Sequence, residues 1–476
     1  MHPGIPSTRM TPNMTQAPLM LSVSGARGIV GKTMTPTVAS NFAAAFGSHL
    51  RARIKDRRPK VAVGFDGRKS GPALVRAASS GLSAVGCDVV EIGVSATPTV
   101  GVMISRLECD GGMNITASHN PMQWNGLKCL DHDGLAPPPE EAEQIIERFR
   151  NDHIDWADGS NTGGIEASDE GADIHVDLVK GVIDPAPIRS SGFRVILDSI
   201  NASGCIGGRK LLETYGCDLV HLNGEMTGVF AHTPEPTETN LKSLAEAVSS
   251  DGSAVCGFAQ DPDADRLAIV DEQGRYIGEE YTLVLAVLRM FQRFGGATVA
   301  ANLSTSRMID DVAAKFDGAR VLRSAVGEAN VVQALRSNDG LIGGEGNGGV
   351  ILPAVCWVRD SLSTMALVLD LLHADGRPLS EIVAELPRYA MIKRKADLSS
   401  IGGRDAVPEI LRKTREIWPG ASVNDSDGVR VDLEEGWVHV RPSNTEPIVR
   451  LIAEAPTAEA ASAIADEAAR ATGLPE

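Results

Sequence analysis

Three times along the 476 residues a short apolar run leads through a helical stretch to a second apolar run that opens on glycine. Residues 60–66 lead to 86–93, 193–198 lead to 216–220, and 297–301 lead to 318–322. A strand, helix, strand order with short connections reads as a parallel α/β unit. Its recurrence predicts three related α/β domains built by internal repetition. One more helix is expected over 37–54, and another over 361–373 closes the third unit. After that the pattern changes: 429–433 and 437–441 read as a hairpin around Glu434-Glu435-Gly436, 448–453 as a strand, and the alanine-rich stretch 457–471 as a helix. The predicted fold class is therefore α/β, with three related α/β domains of mixed, mainly parallel sheets plus a small C-terminal antiparallel α+β domain.

The expected divisions are a disordered tail over 1–18, a first domain over 19–153, and a linker with the second domain over 154–257. A third domain over 258–378 and a fourth over 379–476 follow. The tail is rich in Pro, Thr and Met and lacks the apolar core of a signal peptide, and Met10, Met14 and Met20 are alternative translation starts. No later run approaches the roughly 20 apolar residues of a membrane span. Residues 155–173 are acidic and glycine-rich and read as a linker or surface excursion, with His153 and His175 at its edges expected to be exposed. The seven cysteines are scattered without a CxxC pair, which fits reduced thiols in a cytoplasmic protein. A net charge of -17 excludes nonspecific nucleic-acid binding as a function, while leaving room for a local basic pocket.

Four short stretches carry possible chemistry. In Thr116-Ala117-Ser118-His119-Asn120-Pro121, glycines precede the run and Pro121 restricts Asn120 to extended backbone, so Ser118 sits at a bend. Either it is a presented nucleophile or the six residues form an ordinary polar turn. Asp261-Pro262-Asp263-Ala264-Asp265-Arg266 lies between apolar runs, and its alternate carboxylates converge on one hard cation if the chain turns there. A calcium EF-hand is excluded because Arg266 stands where the sharp turn demands glycine and the flanks read as strands. Magnesium, which takes few carboxylates, suits the loop better; the bland reading is a solvated acidic loop. Gly343-Gly344-Glu345-Gly346-Asn347-Gly348-Gly349 has almost nothing to bury and so serves close backbone approach or flexibility. Arg441-Pro442-Ser443-Asn444-Thr445-Glu446-Pro447 is either a phosphate clamp, since guanidinium pairs bidentately with phosphate, or a capped turn.

The hexapeptide TASHNP followed by Asn125-Gly126-Leu127-Lys128 closely resembles the active-site loop of the α-D-phosphohexomutase superfamily, whose members interconvert hexose 1- and 6-phosphates. DPDADR resembles that family's metal loop, the glycine-rich stretch its sugar loop, and RPSNTEP its phosphate-binding loop. They occur in the family's order, accompanied by the family-like Pro234-Glu235-Pro236-Thr237. The resemblance implies that Ser118 carries a phosphoryl group and, with Asp261, Asp263 and Asp265, ligates Mg2+. It places Arg27, in a Gly-x-Arg-Gly-like turn, and Arg266 near the transferring group. In the sugar loop it assigns Glu345 and Asn347 to the hydroxyls, although Asn347 replaces the family's serine and Gly349 its histidine. With that histidine missing, Lys128, His119 and Arg27 are the remaining acid/base candidates. The phosphate clamp would be Arg441, Ser443, Asn444 and Thr445, with Arg450 a weaker candidate.

The expected activity is thus a phosphohexomutase, an isomerase working through a phosphoserine and a hexose 1,6-bisphosphate, with that bisphosphate also serving as activator. The variant sugar loop resembles a branch that contains phosphoglucosamine mutases and mixed-specificity glucose and mannose enzymes, so glucosamine phosphate is the first expectation and a broad phosphoglucomutase/phosphomannomutase the second. A metal-dependent sugar phosphatase using the same serine, or a noncatalytic sugar-phosphate binding protein, are alternatives of other classes. The expected partner is a small sugar phosphate, for a monomer or homodimer bound to neither nucleic acid nor membrane.

Overall fold

The structure, a computed structural model, describes residues 18–443 and 447–475. The expected tail over 1–18 lies almost wholly outside them, as do Asn444 and Thr445. Alternating apolar positions in glycine-bounded runs give four sheets.

The first has seven strands, with Lys60–Phe65 between Gly111–Ile115 and Asp88–Val94 as its parallel centre. Trp124–Leu130 and Gly25–Ile29 extend it antiparallel. The second and third have four strands each, parallel except for Leu267–Asp271 and Gly349–Ile351. The fourth is a five-stranded antiparallel sheet covered by helix Ala458–Thr472. This is the expected architecture of three mixed α/β repeats and an antiparallel end.

Each repeat contains one strand that turns through a short loop and comes back antiparallel. Gly111–Ile115 returns as Trp124–Leu130, Ala254–Gln260 as Leu267–Asp271, and Ile342–Glu345 as Gly349–Ile351. In the fourth unit Trp437–Pro442 returns as Ile448–Ala455. The four loops so formed are the four motifs of the sequence.

Several boundaries move. The division at 257/258 falls inside strand Ala254–Gln260, which pairs with both Arg194–Asp198 and Leu267–Asp271, so the second sheet runs on to Asp271. The one at 378/379 shifts as well, because Leu379, Ile382 and Leu386 pack in the core shared by the second and third repeats. Residues 155–173 are not merely a linker: Ile165–Ala167 adds an edge strand beside Asp88–Val94. His153 is exposed as expected, but His175 is fully buried. It lies on helix Gly171–Val182, with its ring between Thr99 Oγ1 at 3.0 Å and Asp360 Oδ2 at 3.2 Å, filling the joint between the first and third repeats. All seven cysteines are free, and six are buried. No helix among the described residues is long and apolar enough to cross a membrane.

Candidate active site

Ser118 adopts φ +47, a left-handed conformation that costs a side-chain-bearing residue about 1 kcal/mol. Its amide donates to Thr116 Oγ1 at 2.8 Å, and that hydroxyl donates to Asp66 Oδ2 at 2.7 Å. The conformation delivers Ser118 Oγ to 3.2 Å from Asp261 Oδ2 and 3.4 Å from His119 Nδ1. Burial first, then the charges of Arg266 and Arg27, lower the His119 pKa to about 3, so its ring is neutral at ordinary pH.

The aspartate loop sits where three repeats meet. Its consecutive carbonyls at Pro262, Asp263 and Ala264 accept from Ser203 Oγ at 2.8 Å, the Thr97 amide at 2.9 Å and Ser361 Oγ at 2.7 Å. Those three donors belong to the second, first and third repeats in turn. Ala264 takes φ +50, which turns the chain and lets the alternate carboxylates converge. Asp261, Asp263 and Asp265 are buried and offer oxygens within 4.8 Å of one another. Asp263 Oδ1 and Asp265 Oδ1 have no hydrogen-bond partner among the described residues. A buried carboxylate oxygen without a donor is expensive, and convergent oxygens of this kind fit a hard divalent cation. Burial, followed by the neighbouring Asp263 and Asp265, pushes Asp261 well above the usual carboxylate range. Asp265 goes the other way: burial opposes ionisation, but Arg359, Lys128 and Arg266 together hold it well below that range.

Cations surround this end. Lys128 Nζ lies 3.5 Å from Asp265 and 3.9 Å from Glu328. Arg266 Nε is 3.9 Å from Asp265 Oδ1. Arg27 reaches Asn120 Oδ1 at 3.5 Å and faces Asp263 and Asp265. The structure thus brings Ser118, His119, Arg27, Lys128, Arg266 and the three aspartates into one cluster.

The sugar loop connects to that cluster through a residue the sequence reading passed over. Arg359 donates to Asp265 Oδ2 at 2.6 Å and to Glu345 Oε2 at 2.9 Å, and its own amide donates to Glu328 Oε1 at 2.7 Å. Gly349 is where the family's histidine would stand, and a Cβ there would lie 2.3 Å from Arg359 Cδ, so the arginine occupies that space. Glu345 also accepts from Asn302 Nδ2 at 2.9 Å, the Gly327 amide at 3.2 Å and Asn347 Nδ2 at 3.5 Å. Its four acceptor positions are therefore taken by protein donors, and sugar hydroxyls reach it only by displacing one of them.

At the expected phosphate clamp, Arg441 Nε donates to Asp427 Oδ2 at 2.9 Å, and the Val326 amide donates to the same oxygen at 3.0 Å. His439 bridges Ser304 Oγ at 3.0 Å and the Asp427 carbonyl at 2.7 Å. The Ser443 amide bonds the Ile448 carbonyl at 2.8 Å, and Arg450 stands opposite Arg441 in strand register. Asn444 and Thr445 lie outside the described residues. Sequence reasoning also missed Arg68, Glu328 and Asp427. None of them lies in one of the four motifs, and only the tertiary contacts give each a role.

Comparison with known proteins gives the family. Residues 20–154, 173–274, 278–389 and 392–471 match, in order, the phosphoglucomutase/phosphomannomutase α/β/α domains I, II and III and the C-terminal domain of that family. The chain belongs to the phosphoglucomutase/phosphomannomutase family and is a phosphohexomutase, an isomerase that moves a phosphoryl group within a hexose phosphate. It is 36% identical over 438 residues to a phosphoglucomutase/phosphomannomutase of Thermococcus kodakarensis, covering 92% of this chain and 94% of that one. A Methanopyrus kandleri protein named "probable phosphoglucosamine mutase" is 36% identical over 449 residues, covering 93% and 95%. A phosphoglucomutase/phosphomannomutase family protein from Burkholderia thailandensis superimposes with a TM-score of 0.82 at 28% identity, covering 95% of this chain and 98% of that one. The phosphatase alternative finds no support in these names.

Proposed function

We propose that this phosphohexomutase interconverts hexose 6-phosphate and hexose 1-phosphate through phosphorylated Ser118 and a 1,6-bisphosphate, with glucosamine phosphate as preferred substrate. The observation that carries the reading is the left-handed Ser118 whose hydroxyl meets Asp261 at 3.2 Å, inside a cluster of three carboxylates and three cations. Asp261, Asp263 and Asp265, with an oxygen on Ser118, would hold Mg2+, which would supply charge neutralisation at the phosphoryl oxygens.

In the forward step the P–O bond to Ser118 Oγ breaks and a P–O bond to the free sugar hydroxyl forms, the proton of that hydroxyl ending on the freed Ser118 Oγ. Lys128, Arg27 and Arg266 offset the negative charge on the phosphoryl group, and positioning with charge stabilisation accounts for most of the catalysis in such transfers. Neutral His119 offers a ring nitrogen to Oγ as its bonding changes. The Arg441 guanidinium, oriented by Asp427, holds the phosphate that is not reacting. After the bisphosphate turns over in the cleft, its other phosphate returns to Ser118, and a hexose 1,6-bisphosphate supplied from solution restores any serine that has lost its phosphoryl group.

The amino-sugar preference draws on the loop Gly344-Glu345-Gly346-Asn347-Gly348-Gly349 and on the name of the M. kandleri relative. The T. kodakarensis relative's name favours a second reading, a broad glucose and mannose enzyme. Turnover on glucosamine, glucose, mannose and N-acetylglucosamine phosphates, with magnesium and a sugar bisphosphate present, decides between them. A dominant rate on glucosamine phosphate supports the first; comparable glucose and mannose rates support the second.

A further inference from the structure

The Arg68 guanidinium spends all five of its N–H donors. Nε donates to Asp66 Oδ2 at 2.8 Å, and Nη1 to the Pro121 and Trp124 carbonyls at 3.0 and 3.1 Å. Nη2 donates to the Ser118 and Asn120 carbonyls at 2.6 and 2.8 Å. Because the Ser118 amide reaches Asp66 through Thr116, both backbone polar groups of the nucleophile end on the Asp66–Arg68 pair. Arg68 is 1% exposed, and a lysine, with one ammonium and no fork, cannot reproduce this pattern.

The open face of the guanidinium is covered from another repeat. The Phe230 ring lies 4.7 Å from Arg68 Cζ, and the Phe230 amide donates to Met122 Sδ, in the serine loop, at 3.1 Å. Phe230 belongs to a strap, residues 224–233, anchored on the second repeat. Asn201 Nδ2 bonds the Glu225 carbonyl at 2.8 Å, the Gly228 amide bonds the Asn201 carbonyl at 3.0 Å, and His232 meets Asp198 at 3.2 Å. The strap lies flat on the chain beside Arg68: a Cβ on Gly228 would be 2.3 Å from the Gly67 carbonyl oxygen.

We propose that Arg68 and Phe230 are positioning residues for the nucleophile, the second repeat using an aromatic ring to hold the first repeat's serine loop in its reactive shape. This rests on the reading of Ser118 as phosphoryl carrier. Neither residue touches substrate; each acts through the backbone of Ser118.

The test uses the full chain with Phe230→Ala, Phe230→Tyr and Arg68→Lys, read by steady-state kinetics on hexose phosphates and by amide hydrogen exchange. Phe230→Ala is expected to lower kcat about tenfold with little change in KM, the size set by loss of one cation–π contact. Phe230→Tyr should restore the rate. Exchange should speed up over 116–126 and stay unchanged in Lys60–Phe65. Arg68→Lys should lower kcat by about a hundredfold or more. Wild-type kcat and exchange in Phe230→Ala overturn the proposal, as does a loss that Tyr does not repair or one accompanied by faster exchange throughout the first repeat. If the wild-type enzyme transfers no phosphoryl group to or from Ser118, the functional reading has failed instead, and the exchange data alone decide whether Arg68 and Phe230 hold the serine loop.

Discussion

The serine loop and the aspartate loop occupy the same place in two repeats, each joining a parallel strand to the antiparallel strand that follows. They are completed differently. Around Ser118 the protein supplies the partners: Asp66, Thr116 and Arg68 take up the backbone groups and stabilise the left-handed serine proposed as the nucleophile. Around Asp263 and Asp265 the backbone is tied to three repeats while two carboxylate oxygens have no donor among the described residues. One loop is shaped by the protein alone, and the other converges buried carboxylate oxygens that are able to hold a metal ion. A nucleophile needs a fixed geometry before substrate arrives, whereas a cation site needs open oxygens.

The sharpest break in that comparison is Ser118→Ala. Turnover should fall by about four orders of magnitude or more, while the melting temperature stays near wild type and magnesium binding by calorimetry weakens without being lost, because the three aspartates remain. Substantial activity in the purified variant would remove the nucleophile from Ser118.

Chelation is the next largest effect and acts on the other loop. Stripping divalent ions should lower kcat by about a thousandfold, several kcal/mol of charge stabilisation, while exchange protection over 116–126 is retained. Asp261→Asn sharpens the point. It relieves crowded negative charge, so the metal-free melting temperature should rise by about 2 °C or more while activity falls. Equal or lower metal-free stability would show that the triplet is not strained without a cation.

At the clamp, Arg441→Ala should raise KM by about 10- to 100-fold, the worth of charge-assisted hydrogen bonds to phosphate. Ser118 should still be phosphorylated by a sugar bisphosphate in this variant, as mass spectrometry can report.

The smallest effect concerns pH. Burial lowers the His439 pKa to about 4, against an ordinary value near 6.5. The unfolded chain therefore binds more protons between those values, so His439 leaves stability intact above about pH 6.5 and lowers it as the pH falls toward 4. At pH 5 the loss is about 2 kcal/mol. His439→Gln should narrow the gap between unfolding midpoints at pH 7 and pH 5, and an unchanged gap would remove this residue from the acid response.

The four loops were legible in the sequence because each concentrates unusual residues in a short stretch bounded by apolar runs. Their common strand-to-antiparallel-strand setting was not, and for that reason the 257/258 boundary was drawn through a strand: the return strand Leu267–Asp271 reads equally well as the start of a new domain. His175 was expected at the surface because its neighbours are acidic, whereas burial depends on which face of helix Gly171–Val182 meets the third repeat. Arg359 and Arg68 carry no local signature at all. Their roles come mostly from distant acceptors, the serine-loop carbonyls about 50 residues from Arg68 and Asp265 more than 90 residues from Arg359, and periodicity cannot report such contacts.

Three consecutive residues carry a final consequence. Val326 gives its amide to Asp427 at the clamp, Gly327 gives its amide to Glu345 in the sugar loop, and Glu328 meets Lys128 and the Arg359 amide at the reacting end. A stretch spanning only about 10 Å is thus wired to three sites at once. Lengthening or shortening the chain here by one residue would break the register of all three together, so this segment tolerates a change of side chain at Val326 far better than any change in length.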